Sequence, residues 1–395
     1  MFSFTYWRLY MEIVLALLAA TLFFLLQKYL YRKNWDKNLS IDLQFSVTHC
    51  MEGENAYLTQ TITNQKLLPL PILRLKFQTS RNLIFFDNTN SQVSDNYYRN
   101  DMVSLIMCQK LTRNLSFFCS RRGYYTINQC DLVCSDLFIY DTMVKNIPLA
   151  ISLYVYPRYI DDVYINPTFH KILGNVLTKR FFNEDPFEFA GIRQYQIYDT
   201  LKSINWNASA KTGELKVNVH DTTSSQQVKI LLNLESPTIW IFDDLLEESI
   251  RLAASLANLF IKRGIPTGVY SNGRDLITKE TLTIPPGSGN NHMTSICEGL
   301  SRIDTSLPAR SFVSFSEELL NVKNRNACLS QSFHNENDYY IIISSYQKED
   351  LQNLLKTAFY KKQDYYHWII PINKESSITV DPYFYPFTTP WSIKE

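Results

Sequence analysis

The chain has 395 residues, 45% hydrophobic and 19% charged, with a formal net charge of +1. That length and apolar content suit a membrane anchor with two ordinary folded domains, and exclude a disordered or collagen-like chain. The near-zero charge excludes a general attraction to nucleic acid, so no nucleic-acid partner is expected.

Residues 13–26, IVLALLAATLFFLL, carry no charge. The apolar stretch over 9–31 is long enough to cross a bilayer. It is too long for a signal peptide, and no small-residue cleavage site follows it. Lys28, Arg32, Lys33 and Lys37 follow the span, against Arg8 before it. The positive-inside rule therefore predicts a single-pass cell-membrane protein, anchored by residues 1–33, with its bulk cytoplasmic. Lys28 is expected to snorkel to the interface.

A polar linker at 34–38 leads into strands. IDLQFSVTH sets Ile41, Leu43, Phe45 and Val47 against polar neighbours, and ILRLKF repeats the alternation with Leu73, Leu75 and Phe77. Further short strand-like runs separated by turn residues predict an all-β, sandwich-like domain over 39–158. The seven cysteines have irregular spacing, unlike a disulfide framework. Cys130, Leu132 and Cys134 alternate as one buried strand face would.

Residues 159–225 read as a joint. Within it, Asp199 is placed as the N-cap of a helix through Ala210, with Leu201, Ile204 and Ala208 on one face and Gly213 as its stop. Leu215, Val217 and Val219 then alternate as a strand. The basic residues here are interleaved with Glu188 and Asp199, which points to internal pairing.

Residues 226–380 change character. VKILLNL is an apolar run of the kind buried on both faces of a parallel sheet. A helix follows with Leu246, Ile250, Ala253, Ala257 and Phe260 on one stripe and Gly264 as its stop. Another helix is expected from His292 to Ile303, then a strand YYIIIS, a helix carrying Leu351, Leu354, Leu355 and Ala358, and a strand HWIIPI. Strands alternating with helices predict an α/β domain. Residues 381–395 form an aromatic tail, packed on its own domain or serving as a docking peptide.

Chemistry-bearing motifs are sparse. PPGSGNNH, before a helix, lacks the Lys-Ser/Thr pair of a Walker loop and reads as an ordinary helix start. Neither a His-Glu-x-x-His pair nor a Gly-x-Ser-x-Gly elbow occurs. The end of VKILLNLESP lies where α/β domains bind ligands. There Asp-x-Ser-x-Ser would bind a divalent cation, but this chain has Asn233, Glu235 and Pro237. No metal, cofactor or catalytic residue is expected.

The stretch FEFAGIRQYQIYDTLKSINWNASAKTG resembles the signature of the domain of unknown function 58 family. It matches at Phe189, Gly191, Arg193, Tyr195, Asp199, Ile204, Trp206, Ala208, Ser209 and Ala210. It departs at Tyr198 (for Gly) and at Lys202 and Lys211 (for Arg). The resemblance implies a membrane anchor, a β domain and a C-terminal von Willebrand factor A-like α/β domain, together an α+β multidomain fold. Members are often encoded beside MoxR-type AAA+ ATPases. That implies a membrane-anchored adaptor or scaffold with such an ATPase as partner, and no established enzyme activity. Two other readings stand beside it: a metal-dependent adhesion-type A domain, and an enzyme with dispersed catalytic residues.

Overall fold

A computed structural model describes residues 2–87, 91–94, 96–182, 189–197, 199–220, 226–236, 243–320, 338–360, 365–373 and 377–393. It is a mixed α+β structure in two compact units, Met1–Tyr156 and Pro157–Glu395.

The first unit opens with helix α1, Phe2–Asn34, about 50 Å long at 1.5 Å per residue. Its segment Tyr10–Asn34 has a mean hydropathy of 2.0 and is long and apolar enough to cross a membrane. The C-terminal end of α1 is packed rather than free. Gln27 and Tyr31 are buried on one helical stripe, with Trp35 just beyond. Tyr31 Oη donates to the carbonyl of Pro69 at 2.8 Å. Lys28, expected to snorkel to the interface, pairs with Asp141 at 3.2 Å. The expected linker is fixed too, because Lys66 Nζ donates to the carbonyls of Trp35 and Lys37.

Strands follow in order: β1 (Leu39–Phe45), β2 (His49–Met51), β3 (Asn55–Asn64), β4 (Leu70–Ser80), β5 (Leu83–Phe85), β6 (Ser91–Val93), β7 (Asn96–Leu105), β8 (Lys110–Cys119), β9 (Gly123–Ser135) and β10 (Thr142–Tyr156). They make two sheets, ordered β1-β3-β8-β5 and β2-β10-β9-β4-β7-β6. All neighbours are antiparallel except β2 with β10. Alternation puts Leu58 and Ile62 of one sheet and Leu73, Leu75, Cys130, Leu132 and Cys134 of the other into one core. Burial pushes the thiols of Cys130 and Cys134 up to about 12 and about 11, so both act as small apolar side chains. On β7 the inward positions include Arg99, whose Nε donates to both oxygens of Asp101 at 2.8 Å.

The second unit begins with helix α2, Asp162–Phe182, which the sequence reading missed. Pro167 inside it masked the apolar spacing of Ile165, Phe169, Ile172 and Val176, all buried. A two-stranded antiparallel ribbon follows, β11 (Phe189–Gln194) with β12 (Lys216–His220), enclosing a 3-10 turn and helix α3 (Trp206–Thr212). Then come β13 (Val228–Leu232), α4 (Asp243–Lys262), β14 (Thr267–Asp275), β15 (Thr281–Gly287), α5 (Asn290–Arg302), β16 (Ile303–Asp304), α6 (Phe312–Leu319), β17 (Tyr339–Ile343), α7 (Glu349–Ala358), β18 (Tyr366–Ile372) and β19 (Thr388–Ser392).

The main sheet has the order β15-β14-β13-β17-β18-β19, with β16 pairing β14. It is parallel from β14 to β19. Every residue of β13 and β17 is buried, as an apolar run in a sheet covered on both faces requires. One face carries Leu231, Tyr340, Ile342 and Trp368 against Phe312 and Phe315 of α6 and Leu351 and Leu355 of α7. Helix α4 packs against β13, β14 and β18, and against α5 and α2. Its expected stripe is buried. Its stop is a Schellman turn: Gly264, at φ +72°, donates to Ile261 O, and Ile265 donates to Phe260 O. The stretch set apart in sequence as the aromatic tail is part of this sheet. Its 3-10 turn Pro382–Phe387 buries Phe384, and β19 adds the edge strand beside β18.

Candidate functional site

Two places concentrate the expected site residues. The first is the ribbon module between β11 and β12. Arg193 grips Asp199 with both guanidinium nitrogens, Nη1 to Oδ2 at 2.6 Å and Nη2 to Oδ1 at 2.5 Å. Asp199 Oδ2 also accepts the Gln196 N–H at 2.8 Å. The Arg193 guanidinium holds this carboxyl below the usual carboxylate range. Asp199 therefore closes a turn and caps no helix.

The single helix expected from Asp199 to Ala210 is broken. Ile204 is buried and bridges Val217 of β12, and the Asn205 N–H donates to Lys216 O at 2.8 Å. The Ile204 N–H still closes the 3-10 turn on Leu201 O, and the strand contacts of Ile204 and Asn205 then interrupt the helix. Helix α3 starts afresh, capped by Asn205 Oδ1, which accepts the Ala208 N–H at 2.9 Å. Gly213, at φ +74°, ends it as expected. Ser209 is buried and ties α3 to β12: its Oγ donates to Asn205 O and accepts the Lys216 N–H, both at 2.8 Å. The sequence reading missed Asn205; its place just before an apolar-periodic turn was the available signal.

The expected apolar face fails at Leu201, which is exposed, and Ala208 is only partly buried. Leu215 is exposed as well, while Val217 is buried as the expected alternation requires; of Val219 only the backbone is described. Tyr195 is partly buried, while Lys202, Ala210, Lys211 and Trp206 are exposed, Trp206 at 66%. Gly191 lies at a register shift in the ribbon. Of Phe189 only the backbone is described, and Tyr198, Pro237 and Cys328 lie outside the described residues. The signature thus splits in two. Arg193, Asp199, Ile204 and Ser209 build the module. Trp206, Ile197, Leu201 and Leu215 are the module's large exposed apolar side chains, beside Ile192.

The second place is the carboxyl end of the main sheet. The chain leaves β13 toward β14 on one side and later returns to β17 on the other, so β13 and β17 flank the topological switch point. Asn233 follows β13 at 1% exposure. Its Nδ2 donates to Ser344 Oγ at 2.9 Å. Its Oδ1 accepts the Glu235 N–H at 2.8 Å and Asn272 Nδ2 at 2.9 Å. Asn272 also donates to Arg310 O, and its Oδ1 accepts the Leu234 N–H. Glu235 Oε2 accepts the Phe312 N–H at the start of α6, at 2.9 Å, a favourable place for an anion. Burial first, then the Asp350 and Glu235 carboxylates, push the nearby Tyr346 phenol up to about 12. The switch point is therefore filled by a neutral amide–hydroxyl network that uses its own oxygens.

Of the remaining motifs, PPGSGNNH forms the end of edge strand β15 and the first turn of α5. That helix begins at Asn290, before the expected His292. His292 Nε2 lies 2.7 Å from Thr267 O, so the ring is engaged within the sheet. Two open grooves, of about 550 and 410 Å³, lie in the sandwich over β4, β7 and β9, around Lys76, Gln78, Tyr98 and Gln129.

Residues 191–367 match the family model described as Protein of unknown function DUF58. No curated protein matches the chain. Among solved structures, one is described by the words AvmM Catalyzes Macrocyclization in Alchivemycin A Biosynthesis. It is 11% identical, with 32% of this chain and 94% of that chain covered and a TM-score of 0.23. The ASH/PapD-like domain 7 of human CEP192 is 13% identical, with 30% and 84% covered and a TM-score of 0.19. Spo0M, a sporulation control protein from Bacillus subtilis, is 10% identical, with 40% and 58% covered and a TM-score of 0.19.

Proposed function

We propose that this DUF58-domain chain is a membrane-anchored adaptor that binds protein partners through its second unit. In this reading α1 is the single span, and the body lies in the cytoplasm by the excess of Lys and Arg after it. The second unit is then a von Willebrand factor A-like domain used for protein recognition, with a MoxR-type AAA+ ATPase as its partner.

One observation carries the reading. The ribbon module spends its hydrogen-bonding groups on its own turn, cap and strand, yet leaves Ile197, Leu201, Trp206 and Leu215 exposed. A rigid scaffold presenting an aromatic residue among aliphatic ones is how protein-binding anchors are built. The network around Asn233 supports recognition without a bridging cation, because its oxygens already accept hydrogen bonds, Glu235 binds a helix start, and the nearby Asp350 accepts the Tyr346 hydroxyl.

The test is co-purification of the full chain with the MoxR-type ATPase in detergent and ATP, beside Trp206→Ala. We expect recovery with the parent chain and loss with the variant. Absence of the ATPase from the parent eluate overturns the partnership, and equal recovery with Trp206→Ala overturns the surface.

A further inference from the structure

The turn joining β9 to β10 carries Leu137, Phe138, Ile139 and Tyr140 at 46%, 52%, 60% and 70% exposure. A run of bulky apolar side chains on an exposed turn is unusual in a soluble domain. Ile139 adds a second anomaly, since it adopts φ +60°. A β-branched residue is strained there, where Gly or Asn would be relaxed. At 60% exposure, Ile139 gains little burial to offset that strain.

The turn is held firmly against α1. Asp136 is fully buried. Its Oδ1 accepts the backbone N–H of Tyr140 and of Asp141, and its Oδ2 accepts Gln27 Nε2 at 3.0 Å. The Phe138 ring lies 6.4 Å from Phe23 and 5.7 Å from Phe24, and Tyr140 lies 5.8 Å from Phe24. Lys28 sits 4.6 Å over the Tyr140 ring, and Asp141 pairs with both Lys28 and Arg32.

This registration sets a depth. The apolar run of α1 ends at Leu26, and Lys28 is the first charge after it. Phe23 and Phe24 precede Lys28 by roughly 6–8 Å along the axis. With Lys28 at headgroup level, the rings beside Phe23 and Phe24 reach the acyl boundary, the layer about 5–10 Å deep where amphipathic elements insert.

We propose that residues 137–140 are a second membrane contact, inserted into the interfacial layer of the leaflet that α1 leaves at its C-terminal end. The occupant is the lipid bilayer, because the patch is continuous with the spanning helix and bordered by Lys28 and Arg32, two cations sharing the one carboxylate of Asp141, which leaves a positive rim that suits anionic headgroups. Two attachment points would stop the sandwich from pivoting on a single helix. The inference rests on α1 spanning a membrane, and holds whichever side the body faces.

The test uses the full chain in phosphatidylcholine–phosphatidylglycerol liposomes containing a lipid with a diazirine on its acyl chain. Photolysis and peptide mapping should find adducts on α1 and on 137–140. Val93, 62% exposed elsewhere on the sandwich, supplies the background. The double variant Phe138→Ser, Ile139→Asn should lose the turn adducts and keep those on α1. Far-ultraviolet circular dichroism checks that it folds, and Ile139→Gly, which relieves the backbone, serves as a second variant and should reduce turn adducts without unfolding. Adducts on α1 with only background at 137–140 overturn the contact while leaving the anchor in place. Background labelling on both overturns the anchor, and the contact with it.

Discussion

Asn233→Asp is the substitution that most directly tests the network at the switch point. Asn233 is 1% exposed and uses both amide atoms internally. The variant keeps the two contacts accepted by Oδ1 and replaces the Nδ2 donor with a second oxygen. Ser344 Oγ already accepts the Tyr346 N–H at 3.1 Å, so its hydroxyl proton must turn toward that oxygen. The new carboxylate would have three hydrogen bonds but no cation. Effective desolvation of an ion costs several kcal/mol, and because the neutral amide already makes three hydrogen bonds here, charge adds only roughly 1 kcal/mol to each. Against the neutral amide, a net loss of about 2–4 kcal/mol is expected. Burial raises the folded-state pKa above the unfolded value of about 3.9, so the folded form binds the extra proton. The penalty is absent below about pH 4, grows as pH rises to the folded pKa, and is constant above it. Native-state hydrogen exchange of the full chain in detergent and EDTA at pH 7 reads the effect on β13 and β17. At about 1.4 kcal/mol per tenfold, their amides should exchange roughly 30- to 1,000-fold faster. Unchanged protection would show the site open to water and refute the reasoning. Full recovery with Mg²⁺ would show oxygens free to coordinate and would also refute it.

Other outcomes follow from single groups. His367 is fully buried beside Thr389, and burial, then Lys171, lowers its pKa to about 3. As pH falls below about 6.5 the unfolded chain takes up a proton that the fold refuses, costing roughly 2 kcal/mol by pH 5. His367→Gln should flatten the dependence of exchange in β18 on pH over that range; an unchanged slope contradicts the assignment. Asp199→Asn should raise exchange across 194–204 and leave β13 unaffected. In the parent chain the same segment should loosen in acid, because a carboxyl with a lowered folded pKa stabilises above its unfolded value and is lost as pH falls through the folded one. Equal protection in the variant refutes the turn-closing role. In a Cys328→Ser background, a soluble maleimide should react fast with Cys108, which is exposed, and slowly with the buried Cys50, Cys119, Cys130, Cys134 and Cys297. Loss of the fast phase in Cys108→Ser, read by intact mass, completes the check.

Wherever one side chain pattern decides one local state, the sequence was enough. The uncharged run of 13–26 marks a helix fit to span a membrane, because every turn of it is apolar. Alternation through Cys130, Leu132 and Cys134 marks one face of a strand, and VKILLNL marks a strand buried on both faces. Gly264 and Gly213 mark helix ends, since both adopt positive φ.

Contacts between residues far apart in sequence decided the rest. Asp199 has the chemistry of a cap, but Arg193 captures it and Asn205 caps instead. Leu201 has helical spacing from Ile204, yet only Ile204 meets a strand. Residues 381–395 read as a tail because an edge strand has no local signal apart from its partner; β18 supplies that partner. Asn233 looked like a lost metal ligand until Ser344 and Asn272 appeared beside it. Local propensity is written in the nearest few residues, while a side chain's partner is chosen by topology that brings distant strands to one edge. The sequence therefore determined the helix fit to span a membrane, the alternating strands of the first unit and the strand buried on both faces, but not α2, the broken 199–210 segment or the edge strand β19. Tertiary structure alone decided which polar groups hold the fold, and which apolar ones, Trp206 and the 137–140 turn among them, are left facing outward.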